Sequence, residues 1–397
     1  MCNLWYSINK IFWEAVYILI SLEECRTYEY QKVKEAVLKT FENLGGVEKY
    51  IKKGDKVLLK TNLVMRKKPE EAATSHPFVV QAIAEVLVNY GAEVQIGDSP
   101  GGPFSEMLLK SIYKYTGMAD AAEKSGASLN IDTTSSKVKN PNGVKLKSLT
   151  ITNMVLKADK VISVGKLKSH SMTRMTGAAK NMYGAVPGTT KAEYHFNCQD
   201  GESFANCLID ICSYVNPVLS FLDAVTGMEG NGPTAGTPRD IGLIMASDNP
   251  FELDLAAAKI INAQPKEIPL LKCAIERGIC PKSTDEIKII GCDINKFTIK
   301  DFKVPENHGI HFIGGNPPKF LENFVKLHMY PRPVFTQRCV GCGICAESCP
   351  AKIITIKNKK AHADLKKCIR CYCCQELCPQ KAVNIEKPVI LKILSKL

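Results

Sequence analysis

The strongest pattern of this 397-residue chain is a pair of cysteine runs near its C-terminus. The first run is Cys339-Val-Gly-Cys342-Gly-Ile-Cys345-Ala-Glu-Ser-Cys349-Pro350, and the second is Cys368-Ile-Arg-Cys371-Tyr-Cys-Cys374-Gln-Glu-Leu-Cys378-Pro379. Their spacing is the same, so that each position recurs 29 residues later, as from 339 to 368. Three cysteines at every third position curl a loop around a compact group, and the proline turns the chain away after the fourth. The repeat therefore predicts a small module built around two such groups.

The spacing is typical of iron–sulfur ligation. In the run C-x2-C-x2-C-x3-C-P of two-cluster proteins, the fourth cysteine ligates the other [4Fe-4S] cluster. Zinc sites use pairs of cysteines instead, and a disulfide framework belongs to secreted proteins, whereas we expect no export signal here. We therefore expect two [4Fe-4S] clusters. The predicted ligands are Cys339, Cys342, Cys345 and Cys378 for the first cluster, and Cys368, Cys371, Cys374 and Cys349 for the second.

The remaining cysteines indicate a reducing environment. The chain has 17 cysteines, and those outside the predicted ligands lie in apolar or mixed stretches that favour buried thiols. Cys373 aligns with Ile344 in the internal repeat, so we expect a buried apolar position without a direct ligand role. This usage predicts a cytoplasmic protein, and the oxygen sensitivity of such clusters suits an anaerobe.

The net charge and the hydropathy of the chain restrict the classes of binding partner that we expect. The formal net charge is +12, and residues 331–397 hold 13 Lys and Arg against 4 Asp and Glu. A basic surface near the clusters would attract an acidic redox protein. The lysines are scattered and no aromatic stacking motif accompanies them, so we expect no nucleic-acid partner. The apolar stretch 11–22 is too short to span a bilayer and is interrupted by Glu14, so we expect no membrane span.

The chain before the cysteines alternates between strand and helix patterns. Pro77 and Gly91 mark the start and end of one predicted helix. Such alternation is typical of an α/β domain with a mostly parallel sheet. The predicted strands are 17–22, 56–60, 93–97, 160–165, 218–223, 241–247 and 287–291, and the predicted helices are 31–44, 77–90, 104–116, 176–184, 202–214 and 250–262.

Polar residues gather just after several of these strands. Ligands of open α/β sheets sit outside the carboxyl ends of the strands. The densest group runs from Lys166 through Lys168 and His170 to Thr176-Gly177 and Lys180, and we expect a helix starting there to direct its amides at an anion. The predicted catalytic residues are Lys166, Lys168, His170 and Lys180, and the predicted cofactor-binding residues are Lys60, Asn62, Asp98, Asn181 and Tyr183.

Two family resemblances accompany these patterns. Residues 331–386 resemble the bacterial two-cluster ferredoxins. Residues 20–300 resemble the domain-of-unknown-function 362 family, which often occurs with ferredoxin modules and brings no settled activity. Its six motifs are Gly54-Asp-Lys-Val-Leu-Leu-Lys60-x-Asn62, Ser75-His76-Pro77, Gly97-Asp98-Ser-Pro-Gly-Gly102, Lys166-x-Lys168-x-His170, Thr176-Gly177-x-x-Lys180-Asn181-x-Tyr183-Gly184 and Gly227-Met-Glu229-Gly-Asn-Gly-Pro233.

We therefore expect an α/β domain with a mostly parallel sheet, followed by a small α+β ferredoxin-like domain for two [4Fe-4S] clusters. Three functions stay open: a redox enzyme acting on an anionic organic ligand, an electron-transfer subunit of a larger oxidoreductase, and a factor for cluster or metal assembly. The expected segments are an N-terminal extension (1–19), the α/β domain (20–303), a linker (304–330), the ferredoxin domain (331–386) and a tail (387–397).

Overall fold

The computed structural model describes residues 19–188, 190–198, 200–305 and 330–386. Nearly all of the predicted N-terminal extension, most of the predicted linker and the predicted tail lie outside these residues. Within them, no helix is long and apolar enough to cross a membrane.

The larger domain is built on one nine-stranded sheet with the order β11-β1-β10-β9-β7-β2-β3-β4, and β8 pairs with β7. The pairs β2–β3, β2–β7, β3–β4, β7–β9 and β1–β11 are parallel. A separate hairpin is formed by β5 and β6. The strands are β1 (Leu19–Glu24), β2 (Lys56–Lys60), β3 (Glu93–Gly97), β4 (Ser128–Leu129), β5 (Ser135–Lys139), β6 (Ser148–Thr152), β7 (Lys160–His170), β8 (Arg174–Thr176), β9 (Leu219–Glu229), β10 (Thr237–Ser247) and β11 (Lys288–Gly291).

Helices cover both faces of this sheet and bury its apolar side chains. The first four helices pack on one face, where Val37, Ile83 and Met118 are buried, and α8 to α10 pack on the other. The helices are α1 (Tyr30–Asn43), α2 (Pro77–Tyr90), α3 (Glu106–Tyr115), α4 (Met118–Ser125), α5 (Asn153–Leu156), α6 (Ala178–Asn181), α7 (Thr190–Asn197), α8 (Gly201–Val215), α9 (Pro250–Ile260) and α10 (Pro269–Glu276).

The predicted helix from Pro77 to residue 90 is confirmed, and its ends show why. Pro77 occupies the first helical position, and Nδ1 of His76 accepts a hydrogen bond from the Phe78 amide at 3.2 Å. Gly91 ends the helix with a φ of 107°, a left-handed conformation that glycine adopts without strain. These local signals determine where the helix begins and ends without reference to its tertiary packing.

Two predicted boundaries near the site were wrong. Strand β7 does not end at Gly165 but continues to His170, where it turns back into β8. The predicted helix 176–184 is shorter, because only Ala178–Asn181 is α-helical and a 3-10 turn follows at Met182–Ala185. Polar side chains break the apolar alternation after Gly165, although their backbone still pairs with neighbouring strands.

The cysteine-rich domain is a small α+β unit with two antiparallel strand pairs. In one pair β12 (Arg332–Phe335) contacts β15 (Val383–Glu386), and in the other β13 (Ile354–Lys357) contacts β14 (Lys360–Ala363). Each cysteine run contains one short helix. These helices are α11 (Ile344–Glu347) and α12 (Cys373–Glu376).

The second cysteine run packs against the α/β domain. The hydroxyl of Ser171 donates to Oε1 of Gln375 at 2.9 Å, and the hydroxyl of Thr234 donates to the Glu376 carbonyl at 2.9 Å. A Cβ atom on Gly101 would lie 2.5 Å from Leu377, so the loop after β3 touches this run closely. The contacts hold α12 at the carboxyl ends of the parallel strands.

Candidate functional site

A cavity of about 280 Å³ lies where the two domains meet. The α/β domain supplies residues from the ends of β2, β3 and β7 and from the segment around α6 and α7. The cysteine-rich domain supplies Glu347, Ser348, Lys352, Cys373, Glu376 and Leu377. Seven of the nine predicted site residues line it. They are Lys60, Asn62, Asp98, Lys168, Lys180, Asn181 and Tyr183.

Lys60 and Asp98 form a buried ion pair in the cavity wall. Nζ of Lys60 lies 2.7 Å from Oδ1 of Asp98 and also donates to Oδ1 of Asn181 at 3.1 Å. The other carboxylate oxygen of Asp98 accepts from the Leu63 amide at 2.7 Å. The side-chain amide of Asn181 donates back to the Lys60 carbonyl at 3.1 Å. This network fixes the ends of β2 and β3 relative to α6 and leaves Lys60 without spare hydrogen-bond donors.

Lys168 and Lys191 also line the cavity, and the ammonium group of each donates hydrogen bonds to other protein groups. Nζ of Lys191 donates to the carbonyls of Ser99 and Val186, each at 2.7 Å. Nζ of Lys168 donates to Oδ1 of Asn62 at 2.7 Å and to the Ala73 carbonyl at 2.5 Å. Burial lowers the pKa of Lys168 and of Lys191 to about 7. The hydrogen bonds hold both ammonium groups in fixed positions. Because their pKa values are lowered, both groups lose a proton more readily than a surface lysine does.

Lys180 is the cavity lysine available to a ligand. Among the described residues, its ammonium group makes no hydrogen bond and no ion pair. Burial lowers its pKa, whereas the nearby carboxylate of Glu376 and thiol of Cys373 act in the opposite direction. An anion entering the cavity finds an unbonded cation here, next to the second cysteine run.

Two buried histidines adjoin the cavity and are uncharged at neutral pH. His195 lines the cavity and stacks on Phe204, and burial lowers its pKa to about 3. His170 is 2% exposed, and its Nδ1 accepts from the Met172 amide at 3.1 Å, so the proton sits on Nε2. That Nε2 lies 3.8 Å from Oε2 of Glu376. His170 thus faces the cysteine-rich domain beside the cavity and is not part of its lining.

The amides at the start of α6 are already occupied by a side chain of the protein, the carboxyl group of Asp254, whose pKa burial raises to about 7. Oδ1 of Asp254 accepts from the Ala178 amide at 2.5 Å, and Oδ2 accepts from the Ala179 amide at 3.2 Å. A side chain on Gly177 would overlap this carboxylate. The expectation of a ligand at these amides was therefore wrong, because Asp254 from α9 occupies the position. Its effect is to anchor the short helix that carries Lys180.

Lys166 lies away from the cavity in a separate buried cluster. Its Nζ lies 2.9 Å from Oδ2 of Asp223 and 2.7 Å from the hydroxyl of Tyr28. The Tyr28 hydroxyl donates to Oδ1 of Asp223 at 2.8 Å, and its ring stacks on His76 with the centroids 3.6 Å apart. The structure therefore separates Lys166 from the cavity and gives its ammonium group two buried partners, Asp223 and Tyr28.

The eight cysteines of the two runs fall into two groups. Four of them line one small cavity within the cysteine-rich domain, namely Cys339, Cys342, Cys345 and Cys378. Burial and the neighbouring thiols of Cys371, Cys368, Cys345 and Cys349 raise the pKa of Cys374. The second run is the one that contacts the α/β domain, through Gln375 and Glu376. Cys373 is buried, as expected, but its position in the cavity wall was not anticipated.

Comparison with protein families matches both domains. Residues 57–259 match a domain of unknown function, DUF362, over about half of the chain. The chain belongs to this family. A relative of this chain is the thylakoid-associated protein sll1697 of Synechocystis sp., which is 30% identical over 293 residues, 72% of this chain and 88% of the relative. Residues 338–382 match a 4Fe-4S dicluster domain. This DUF362 protein is thus an iron–sulfur protein with a ferredoxin-type domain.

Two solved structures show a distant likeness to this DUF362 chain. The lactate racemase apoprotein of Thermoanaerobacterium thermosaccharolyticum is 11% identical with a TM-score of 0.36, over 58% of this chain and 54% of that protein. A structural-genomics protein from Thermotoga maritima is 12% identical with a TM-score of 0.31, over 57% of each chain. The chain thus spans little more than half of either protein, and the similarity is too low to transfer a function.

Proposed function

We propose that this protein binds two [4Fe-4S] clusters and transfers electrons, one at a time, to or from an anionic ligand held in the cavity between its domains. The observation that carries the proposal is the composition of the cavity wall. The second cysteine run contributes Cys373 and Glu376 to the same cavity that contains Lys180. A ligand bound there lies against the segment that would hold a cluster.

The cysteine-rich domain suits the clusters. Its first run forms a tight loop because Gly341 and Gly343 adopt φ values of 69° and 85°, which other residues rarely adopt. The eight thiols supply the soft ligands that such clusters need, in the sets Cys339, Cys342, Cys345, Cys378 and Cys368, Cys371, Cys374, Cys349. When bound, the clusters supply one-electron redox chemistry.

The α/β domain would bind and orient the ligand. Lys180 offers an unbonded ammonium group to a carboxylate or phosphate, and Lys168 offers its remaining hydrogen-bond donor. Because burial lowers the pKa of Lys180, it also releases a proton more readily than a surface lysine. The rings of Tyr183 and His195 pack edge to face in the cavity wall and limit water near the ligand.

Two measurements on anaerobically purified protein test this proposal. Iron and sulfide analysis should give about eight of each per chain. Mass spectrometry of small molecules released from the protein should find an organic anion. A content near four, or zinc in place of iron, would contradict the two-cluster assignment.

The variant Cys374→Ser separates cluster binding from ligand binding. It removes one thiolate of the second set, so iron content should fall while the released anion is retained. Cys212→Ser is the matched control, because Cys212 is buried in α8 outside both runs. Equal loss of iron in both variants would show that the effect is general destabilisation.

An assembly role is the alternative to redox chemistry, and it would use free thiols as transient ligands. Of the described cysteines outside the two runs, Cys292 is partly exposed and the others are buried, which does not favour that role; the buried ones are Cys25, Cys198, Cys207, Cys212, Cys273 and Cys280. Transfer of iron to a cluster-free acceptor protein would support it. A cytoplasmic location stays a prediction.

A further inference from the structure

The loop of the first cysteine run is open to solvent. Val340 is 58% exposed and Ile344 is 37% exposed, and Cys342 between them is also exposed. The second run behaves differently, because Ile369 and Cys373, which occupy the positions equivalent to Val340 and Ile344, are only 8% and 7% exposed. Of the two runs, the first is therefore the one that an outside molecule can approach closely.

A basic hairpin borders this loop. Strands β13 and β14 meet in a turn that carries the exposed residues Lys357, Lys359 and Lys360. The Ala361 amide donates to the sulfur of Cys339 at 3.4 Å, and a Cβ on Gly341 would lie 2.6 Å from the Lys359 backbone. The turn therefore sits directly against the first run, and its charges border the exposed apolar residues.

Few acidic side chains offset this charge. Arg338, Lys366 and Lys367 are also exposed on the same domain. Of the acidic residues, Asp364 already lies 4.0 Å from Lys367, and Glu347 and Glu376 line the ligand cavity. An apolar centre with a basic border is complementary to a partner with an apolar centre and an acidic border. We name this surface the first-run face and define it by Val340, Cys342, Ile344, Lys357, Lys359 and Lys360.

We infer that the first-run face docks an acidic one-electron carrier protein. This inference rests on the proposed function and places the partner at the exposed loop of the first run, whereas the ligand cavity lies between the two domains. One electron leaves the reduced carrier, which is thereby oxidised by one electron, and enters this protein; no bond is made and no proton is transferred. The reverse transfer uses the same contact.

A protein partner fits this face better than a membrane surface. An anionic bilayer is attracted by exposed lysines anywhere on a protein surface. Binding to a bilayer would therefore not require exposed apolar residues next to a cysteine ligand. Here the turn that carries Lys359 lies against Gly341, between the exposed Val340 and Cys342, so that docking shortens the path to the first cysteine set. The arrangement thus favours a partner whose redox centre must come close.

The test measures binding of an acidic flavodoxin to the full-length, cluster-loaded protein by calorimetry. The triple variant Lys357→Glu, Lys359→Glu and Lys360→Glu should weaken binding at low salt by at least about tenfold, and high salt should weaken binding of the unchanged protein. The matched control reverses three exposed lysines of the α/β domain, Lys53, Lys114 and Lys124, and should bind like the unchanged protein. Iron content, measured first, should equal that of the unchanged protein in both variants.

Three outcomes would overturn the inference. If both triple variants bind flavodoxin equally weakly, the effect is one of overall charge. If the affinity of the unchanged protein for flavodoxin does not depend on salt concentration, charge complementarity is excluded. Sedimentation with vesicles of phosphatidylglycerol and phosphatidylcholine is the third arm. If the hairpin variant loses vesicle binding while flavodoxin binds neither protein, the face is a membrane contact. A low iron content with intact flavodoxin binding would instead contradict the two-cluster proposal and leave the docking face standing.

Discussion

Nζ of Lys166 lies 2.9 Å from Oδ2 of Asp223, and both side chains are fully buried. Tyr28 bonds to both partners, and the His76 amide donates to the same carboxylate oxygen at 2.9 Å. Lys180 lies further along the chain in the cavity wall and has no such partner among the described residues. Two lysines of one predicted site thus have opposite surroundings, and this difference can be tested.

The substitution Lys166→Met should destabilise the protein without changing ligand binding. It leaves the charge of Asp223 buried and unpaired, which costs about 3–5 kcal/mol. Denaturant unfolding under anaerobic conditions should show a lower midpoint, and mass spectrometry should find the released anion at its usual amount in the protein that remains folded. Stability equal to the unchanged protein would contradict the structural role of Lys166.

The same substitution at Lys180 should have the opposite result. Lys180→Met keeps the length of the side chain and removes the cation, so a lost charge-assisted hydrogen bond should weaken anion binding by about ten- to hundredfold. Sulfate is a suitable probe anion, and its dissociation constant can be measured by calorimetry. Iron content and the unfolding midpoint should stay unchanged. Undiminished sulfate binding would remove Lys180 from the site.

Anion binding should weaken as the pH rises from about 6 to about 8. Burial lowers the pKa of Lys168 and of Lys191 to about 7, so both are mostly charged below this pH and mostly neutral above it. Lys60 and Lys180 further lower the pKa of Lys191, whereas Asp98 and Glu376 raise it. Sulfate keeps its charge over this range, so a change in its affinity reports on the protein. A constant affinity would show that neither lysine contributes.

Gly184→Ala should disrupt the cavity while leaving the cysteine-rich domain intact. A Cβ atom at this position would overlap Nζ of Lys60 and Oδ1 of Asp98, so the buried ion pair must move apart. We expect weaker sulfate binding and a lower unfolding midpoint, with iron content unchanged. Gly278→Ala is a control that tests general glycine effects, since nothing lies within 4 Å of its added Cβ, although its φ of 69° adds some strain. If Gly184→Ala and Gly278→Ala change sulfate binding and the unfolding midpoint to the same extent, overlap with Lys60 is not the cause of the change.

The sequence predicted the parts of the site that depend on local signals. Lys60, Asn62 and Asp98 follow buried apolar strands, and the parallel sheet brings their carboxyl ends together at one edge. Helix α2 was predicted from Pro77 and Gly91. These features need only strand order and helix ends, which short segments determine.

Contacts between distant segments could not be predicted in this way. Asp254 lies 76 residues from Ala178 yet occupies the amides that seemed free for a ligand. Cys373 and Glu376 enter the cavity only because α12 packs against the α/β domain. Lys166 and Lys168 are two residues apart on β7, but the register of β7 against β9 shifts between them, and their side chains reach different partners. Single-sequence patterns carry no record of such pairings.

The shared walls of the cavity also have a mechanical consequence. A ligand that touches both Lys180 and Glu376 acts as a removable cross-link between the two domains, because it cannot keep all its contacts if they separate. At a ligand concentration of 100 times the dissociation constant, such a cross-link stabilises the closed arrangement by about 2.7 kcal/mol. Occupancy of the cavity would then determine how strongly the cysteine-rich domain is bound to the α/β domain. Each cycle of ligand binding and release would strengthen and then weaken the domain interface across which electrons are transferred.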